Sequence, residues 1–184
     1  GDVDITELNN IALTNIDVTD GTIDVNAGGS ITHASITADN GVVTLDAQDN
    51  ISVIQIGSLS GENIVLDAGG DITIDNGVGD GLTTSGSGEI LLTTGAGSTI
   101  AINSAVSTID GDITLTGEQL TIAGSVFTGA KGTLHLNPLA VDTSIGLGDG
   151  STGTYNLDQS ELDNLQAGGT GDVVIGQTNG SHLL

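Results

Sequence analysis

Carboxylates set the chemistry open to this chain. Its 24 Asp and Glu side chains stand against one lysine, Lys131, and no arginine, for a formal charge of −23. Carboxylates grouped with loop carbonyls are ligands for calcium. Asp75 with Asp80, and Asp142 with Asp149, fall in Gly-rich loops of the kind that suits such a site. Asp46 and Asp67 stand at equivalent places in consecutive repeats, where stacking would bring their backbones to about 4.8 Å. Calcium is therefore the one cofactor these residues suggest. No metal ligand is assigned, because corner hydrogen bonds and solubility are the simpler role for any single Asp.

Other chemistries find little material. Polysaccharide lyases need a cationic base, and hydrolases need paired carboxylates in a cleft with aromatics that stack on sugars. Here Lys131 is the only cation apart from histidine, and Phe127 and Tyr155 are the only aromatics. A polysaccharide-active enzyme stays the least supported reading. His33, His135 and His182 are far apart in sequence and make no Ser/His/Asp set. His135 alternates with Leu134 and Leu136 and so points outward, His33 is expected at a corner, and His182 lies near the end of the sequence. The stretch 124–131, GSVFTGAK, resembles a phosphate loop only loosely, since Lys is displaced by one residue and Gly132 stands where Ser or Thr belongs. Cysteine is absent, which removes disulfides and thiolate metal sites. The charge argues against nucleic acid and anionic membrane surfaces as partners. No apolar run reaches membrane-span length, so membrane insertion is not expected, and no secretion signal opens the sequence. No catalytic or cofactor-binding residue is assigned.

The elements that carry these residues follow from a repeat. Pairs of apolar residues with one residue between them recur at Val3/Ile5, Ile23/Val25, Val43/Leu45, Ile64/Leu66, Ile90/Leu92, Ile113/Leu115, Leu134/Leu136, Tyr155/Leu157 and Val173/Ile175. An apolar i, i+2 pair is a strand with one buried face. Further apolar positions follow in each unit, as Ile11 and Ile16, Ile31 and Ile36, Ile51 and Ile56, and Ile72 and Val78. Three short strands cannot bury a core alone, but stacked units can. The chain is read as a single all-β domain over 1–184, a parallel β-helix or β-solenoid of about nine coils of roughly 20–23 residues. Its apolar content of Ile, Leu, Val and Ala, with no Met or Trp, suits a narrow interior.

Each unit opens after Gly or Asp-Gly, where a tight corner needs the freedom of glycine. A polar residue follows each opening strand, at Thr6, Asn26, Asp46, Asp67, Thr93, Thr116, Asn137 and Asp158, and is expected to stack as a ladder. Ala27, Ala47 and Ala68 come next, as a crowded inner corner requires. Three stretches break the rhythm. Segments 76–88 and 146–153 read as protruding loops, and 160–167, SELDNLQA, as a short helix with Ser160 at the N-cap and Asp163 three residues on. Neither end shows a cap of charged or helical sequence. The spacing matches neither a hexapeptide helix nor the nonapeptides of a calcium-binding β-roll. Outward positions of the opening strand vary through Asp24, Thr44, Val65, Leu91, Thr114 and His135, which argues against a regular ice-binding array.

The Gly-Asp-Ile-Thr openings at Asp71 to Ile74 and Gly111 to Leu115, and the period of about 20 residues, resemble large secreted bacterial exoproteins of the filamentous haemagglutinin type. Segment 132–176, with TLHLNPLAVDTSIGLG, TYNLDQSELDNLQAG and GDVVIG, is similar to a module of very large β-helical adhesin-like proteins. The resemblance implies a right-handed β-helix, export through an outer-membrane partner, and an extracellular or bacterial cell-surface location. With it, the reading is a non-enzymatic segment of an adhesin or biofilm-matrix fibre, whose partners would be neighbouring segments of a longer chain, surface glycans or host receptors. The alternative is a filament subunit that stacks head to tail on itself.

Overall fold

Alternating apolar residues bury one face of each strand, and in the computed structural model that face lines the inside of a parallel β-solenoid. The structure describes residues 1–53, 63–77 and 79–177. Three parallel sheets run along the rod. The first has eight strands, Val3–Glu7, Ile23–Ala27, Val43–Ala47, Ile64–Ala68, Ile90–Thr94, Ile113–Gly117, Leu134–Pro138 and Val173–Ile175. The second has six, Ile11–Val18, Ile31–Ala38, Ile51–Val53, Ile72–Ile74, Thr99–Ile102 and Gln119–Ile122. The third has four, Asp80–Thr83, Ala105–Thr108, Val126–Thr128 and Leu165–Ala167.

The register turns the sequence repeat into columns. Val3, Ile23, Val43, Ile64, Ile90, Ile113, Leu134 and Val173 are successive partners on the first sheet. From Ile23 to Leu134 every member is fully buried. Ala27, Ala47 and Ala68 stack beside them at the inner corner. Their outward neighbours Thr6, Asn26, Asp46, Asp67, Thr93, Thr116 and Asn137 stack in the same way, as the sequence predicts. Glycine at the opening corner has a specific cause. A Cβ on Gly41 would overlap the carbonyl of Gly21, and one on Gly132 the carbonyl of Gly111, because consecutive corners sit backbone on backbone.

The coil count differs from the expected nine. Six coils carry both the first and the second sheet, and two further strands extend the first. Leu134–Pro138 pairs directly with Val173–Ile175, so Tyr155–Leu157 is no member of that sheet. It pairs instead with Ile145–Leu147 in a two-stranded unit inserted within one coil. Tyr155 and Leu157 carry the same i, i+2 apolar signature as the others, and an inserted strand buries one face for the same reason a stacked one does.

The breaks in rhythm are also more structured than loops. Segment 76–88 contains Asp80–Thr83, the first strand of the third sheet, while Val78 lies outside the described residues, as does Ile56. Segment 146–153 is the tight connection between the two inserted parallel strands, with Gly148 and Gly150 at positive φ. The helix is shorter and earlier than expected, Gln159–Asp163. Its N-cap is Asp158, which accepts from the Glu161 N–H while the Glu161 carboxylate accepts from the Asp158 N–H. Asp158 is the cap because Glu161 then falls at the third helical position and completes a capping box, which a cap at Ser160 would not. Asp158 therefore leaves the polar ladder assigned to it. Leu165–Ala167, expected to be helical, is the last strand of the third sheet.

Candidate functional site

The fold separates most of the acidic side chains that the sequence pairs. Asp75 accepts the Gly77 N–H in a local turn, and Asp149 accepts the N–H of Gln159 at the start of the short helix. Asp80 offers its backbone carbonyl to Asn76 Nδ2. Asp142 lies exposed in the inserted segment. Among the described residues no three His, Asp or Glu side chains come together as a metal site would require. Lys131 makes an exposed ion pair with Asp110 at 3.0 Å.

Asp46 and Asp67 do stand side by side in register, both exposed. Partial burial, and then the Asp46 charge, hold the Asp67 carboxyl above its ordinary range. A raised carboxyl pKa means the folded state binds the proton more tightly than the unfolded chain. The ionised group therefore opposes folding above that raised pKa, and the effect disappears as pH falls below the unfolded value. Asp67→Asn is expected to raise Tm at neutral pH by at most a few degrees, with the gain fading on acidification. In the parent chain, millimolar calcium is expected to raise Tm beyond sodium chloride of matched ionic strength. Equal melting curves in the two salts would leave these carboxylates as solubilising groups.

Polar side chains that the sequence pattern left unassigned do more structural work. Asn10 Oδ1 accepts the Ser30 N–H, Ser30 Oγ accepts the Asn50 N–H, Asn50 Oδ1 accepts the Asp71 N–H and Asp71 Oδ1 accepts the Thr99 N–H. Each bond joins one coil to the next, just before the second-sheet strand. The signal was present, because a polar residue precedes Ile11, Ile31, Ile51 and Ile72 in turn. A second ladder closes the third sheet. The buried hydroxyls of Thr84, Thr108 and Thr128 donate to the carbonyls of Gly88, Gly111 and Gly132 at 2.7, 2.5 and 2.6 Å. Those carbonyls sit at the turn back to the first sheet, where no strand partner reaches them.

No protein-family model, curated protein or solved structure matches the chain. His135 faces outward and half-buried, as its alternation predicts. His182 lies outside the described residues. His33 does not sit at a corner. It occupies the inward position of Ile31–Ala38, 1% exposed, in the column Leu13, His33, Val53, Ile74, Ile102, Ile122. Its residue type hid this, since an imidazole at an inward place looks like a break in the apolar pattern. Neither ring nitrogen has a hydrogen-bond partner, and burial depresses its pKa to about 4. Tyr155 is buried too, with its hydroxyl unpartnered and its pKa raised by burial and then by the Glu161 charge. Phe127 is the one aromatic left at the surface. A groove lined by Ser144, Ile145, Leu147, Ser151 and Thr152 opens in the inserted unit, with only hydroxyls and aliphatic groups on its walls. No helix of the described residues is long and apolar enough to cross a membrane.

Proposed function

We propose that this chain is a structural, non-enzymatic segment of an extracellular bacterial adhesin or matrix fibre. The observation that carries this reading is the register. Eight strands stack without a slip on the first sheet, so one set of outward residues forms an unbroken polar column along the rod, Thr6, Asn26, Asp46, Asp67, Thr93, Thr116 and Asn137. A surface of that kind is rigid, hydrated and acidic, which is what a spacer or display element needs. The resemblance of the Gly-Asp-Ile-Thr repeats to secreted exoproteins supports the same class. Glycans or cell-surface receptors are the partners it suggests, reached at the cell surface or outside it. Incubation with neutral and acidic polysaccharides is expected to release no new reducing ends, while negative-stain images show discrete rods with a stacked length of roughly 34 Å. Release of reducing ends would transfer the chain to the polysaccharide-active enzymes.

A second reading, a subunit stacking head to tail, draws on one observation. In the first described coil Val3, Ile5, Ile11, Leu13 and Ile16 pack on the core yet stay only half-buried. Exposed strand edges invite further strands. Filaments growing with protein concentration would favour this reading over a discrete rod.

A further inference from the structure

We infer that the inserted segment 139–164 is an edge cap, which ends the second sheet at Gln119–Ile122 and keeps that edge from pairing with another β-coil. Several observations meet here. The second sheet stops at Gln119–Ile122, whereas the first and third sheets each gain another strand from the chain beyond the insertion, Val173–Ile175 and Leu165–Ala167. At the end of that last strand, side chains take the place of a neighbouring strand at Ile122. Glu161 Oε1 accepts the Ile122 N–H at 3.1 Å, and Asn164 Nδ2 donates to the Ile122 carbonyl at 2.9 Å. Those two side chains supply one acceptor and one donor to the same residue, which is what a neighbouring strand would supply. Both are held in place. Glu161 Oε2 accepts the Asp158 N–H in the capping box, and the Asn164 carbonyl accepts the Val126 N–H, which starts the next strand of the third sheet. The inserted strand Tyr155–Leu157 lies beside Gln119–Ile122, and Thr154 and Asn156 face Gln119 and Leu120 across a narrow gap.

The arrangement answers a need of the fold. An unpaired parallel edge presents a row of N–H and C=O groups to any strand that arrives, and proteins cover such edges with helices, loops or charge. Here a one-turn helix supplies the cover and a carboxylate supplies the charge. The device is independent of what the rod binds, and it bears directly on assembly, because a coil of a second molecule cannot continue the second sheet while Glu161 and Asn164 occupy it.

The test is self-association of the full chain. Glu161→Ala with Asn164→Ala is expected to keep the β-sheet circular dichroism of the parent. Its Ile122 amide should exchange about tenfold faster, and its weight-average mass in sedimentation should rise with concentration beyond that of the parent. Glu161→Gln, which keeps an acceptor at the same place, is expected to behave as the parent. A second variant covers the case in which the double variant does not fold. In it, residues 139–170 are replaced by a copy of 118–131, so that a regular coil stands where the insertion was. That variant is expected to associate, since it exposes a fresh second-sheet edge. A folded double variant with parental Ile122 exchange and parental mass would overturn the inference, and so would a regular-coil variant as monodisperse as the parent. Neither result touches the reading of the chain as a surface rod, which stands or falls on polysaccharide turnover and rod shape.

Discussion

Val43→Asp is expected to unfold several coils at once. Val43 is fully buried in the first-sheet column, between Ile23 and Ile64, and no cation lies in the interior to meet a carboxylate. An unpaired charge in such a place costs about 3–5 kcal/mol. That is a large part of the roughly 5–15 kcal/mol typical of a whole domain. Because each coil rests only on its neighbours, the damage should spread to the coils on either side before it reaches the far end. Thermal melting with hydrogen exchange reads both the loss and its reach. Thr44→Asp is the control. It changes the next residue of the same strand, on the outward face, and should leave the sheet intact. If Val43→Asp melts like the parent, the inward register is wrong.

The second large effect belongs to His33. The unfolded chain binds a proton on this side chain below about pH 6.5, whereas the buried imidazole resists until about pH 4. The folded pKa is depressed, so the unfolded state gains protons first and stability falls as pH drops through that window. The loss amounts to about 3 kcal/mol by pH 4, since each tenfold difference in proton affinity between the two states is worth about 1.4 kcal/mol. His33→Val removes the titration and restores the aliphatic column between Leu13 and Val53. It is expected to be at least as stable as the parent at pH 7, because two unpartnered buried nitrogens disappear with it. The gap in Tm between variant and parent should widen steadily from pH 7 to pH 4. A gap that stays constant over that range would show that His33 titrates in water and not in the core. Comparing the two chains removes the contribution of the carboxylates, which acidify alike in both.

His33 also marks where the sequence pattern stops being legible. Apolar pairs located every strand of the first sheet, because burial of one strand face depends only on alternation. They could not tell Tyr155–Leu157 from a true rung, since alternation records that a face is covered and not by what. The intervals between strand starts carried a warning, being longest around the 76–88 segment. That segment reads as a loop because its Gly and Ser mask a short strand, which buries Leu82 alone of its large side chains and pairs with Ala105–Thr108. The acidic pairs were legible as neighbours only where the repeat placed them in register, at Asp46 and Asp67. Asp75 is taken up by a local turn and Asp80 begins a strand, an arrangement that no spacing rule contains. The coil-to-coil ladder of Asn10, Ser30, Asn50 and Asp71 has a simpler reason for being hidden. Asn, Ser and Asp in front of strands look like turn formers, and their second task, bonding across to the next coil, appears only when coils are stacked.

The stacking has a mechanical consequence. The ladder bonds of a solenoid run along the rod, so tension applied end to end pulls them apart in series and does not shear them together. Under load such a segment yields one coil at a time. Each coil that peels away releases chain for roughly 70 Å of extension at about 3.4 Å per residue, while the neighbours keep their own columns. A tether built this way lengthens by steps, and it regains its length when a released coil finds the exposed edge of the next.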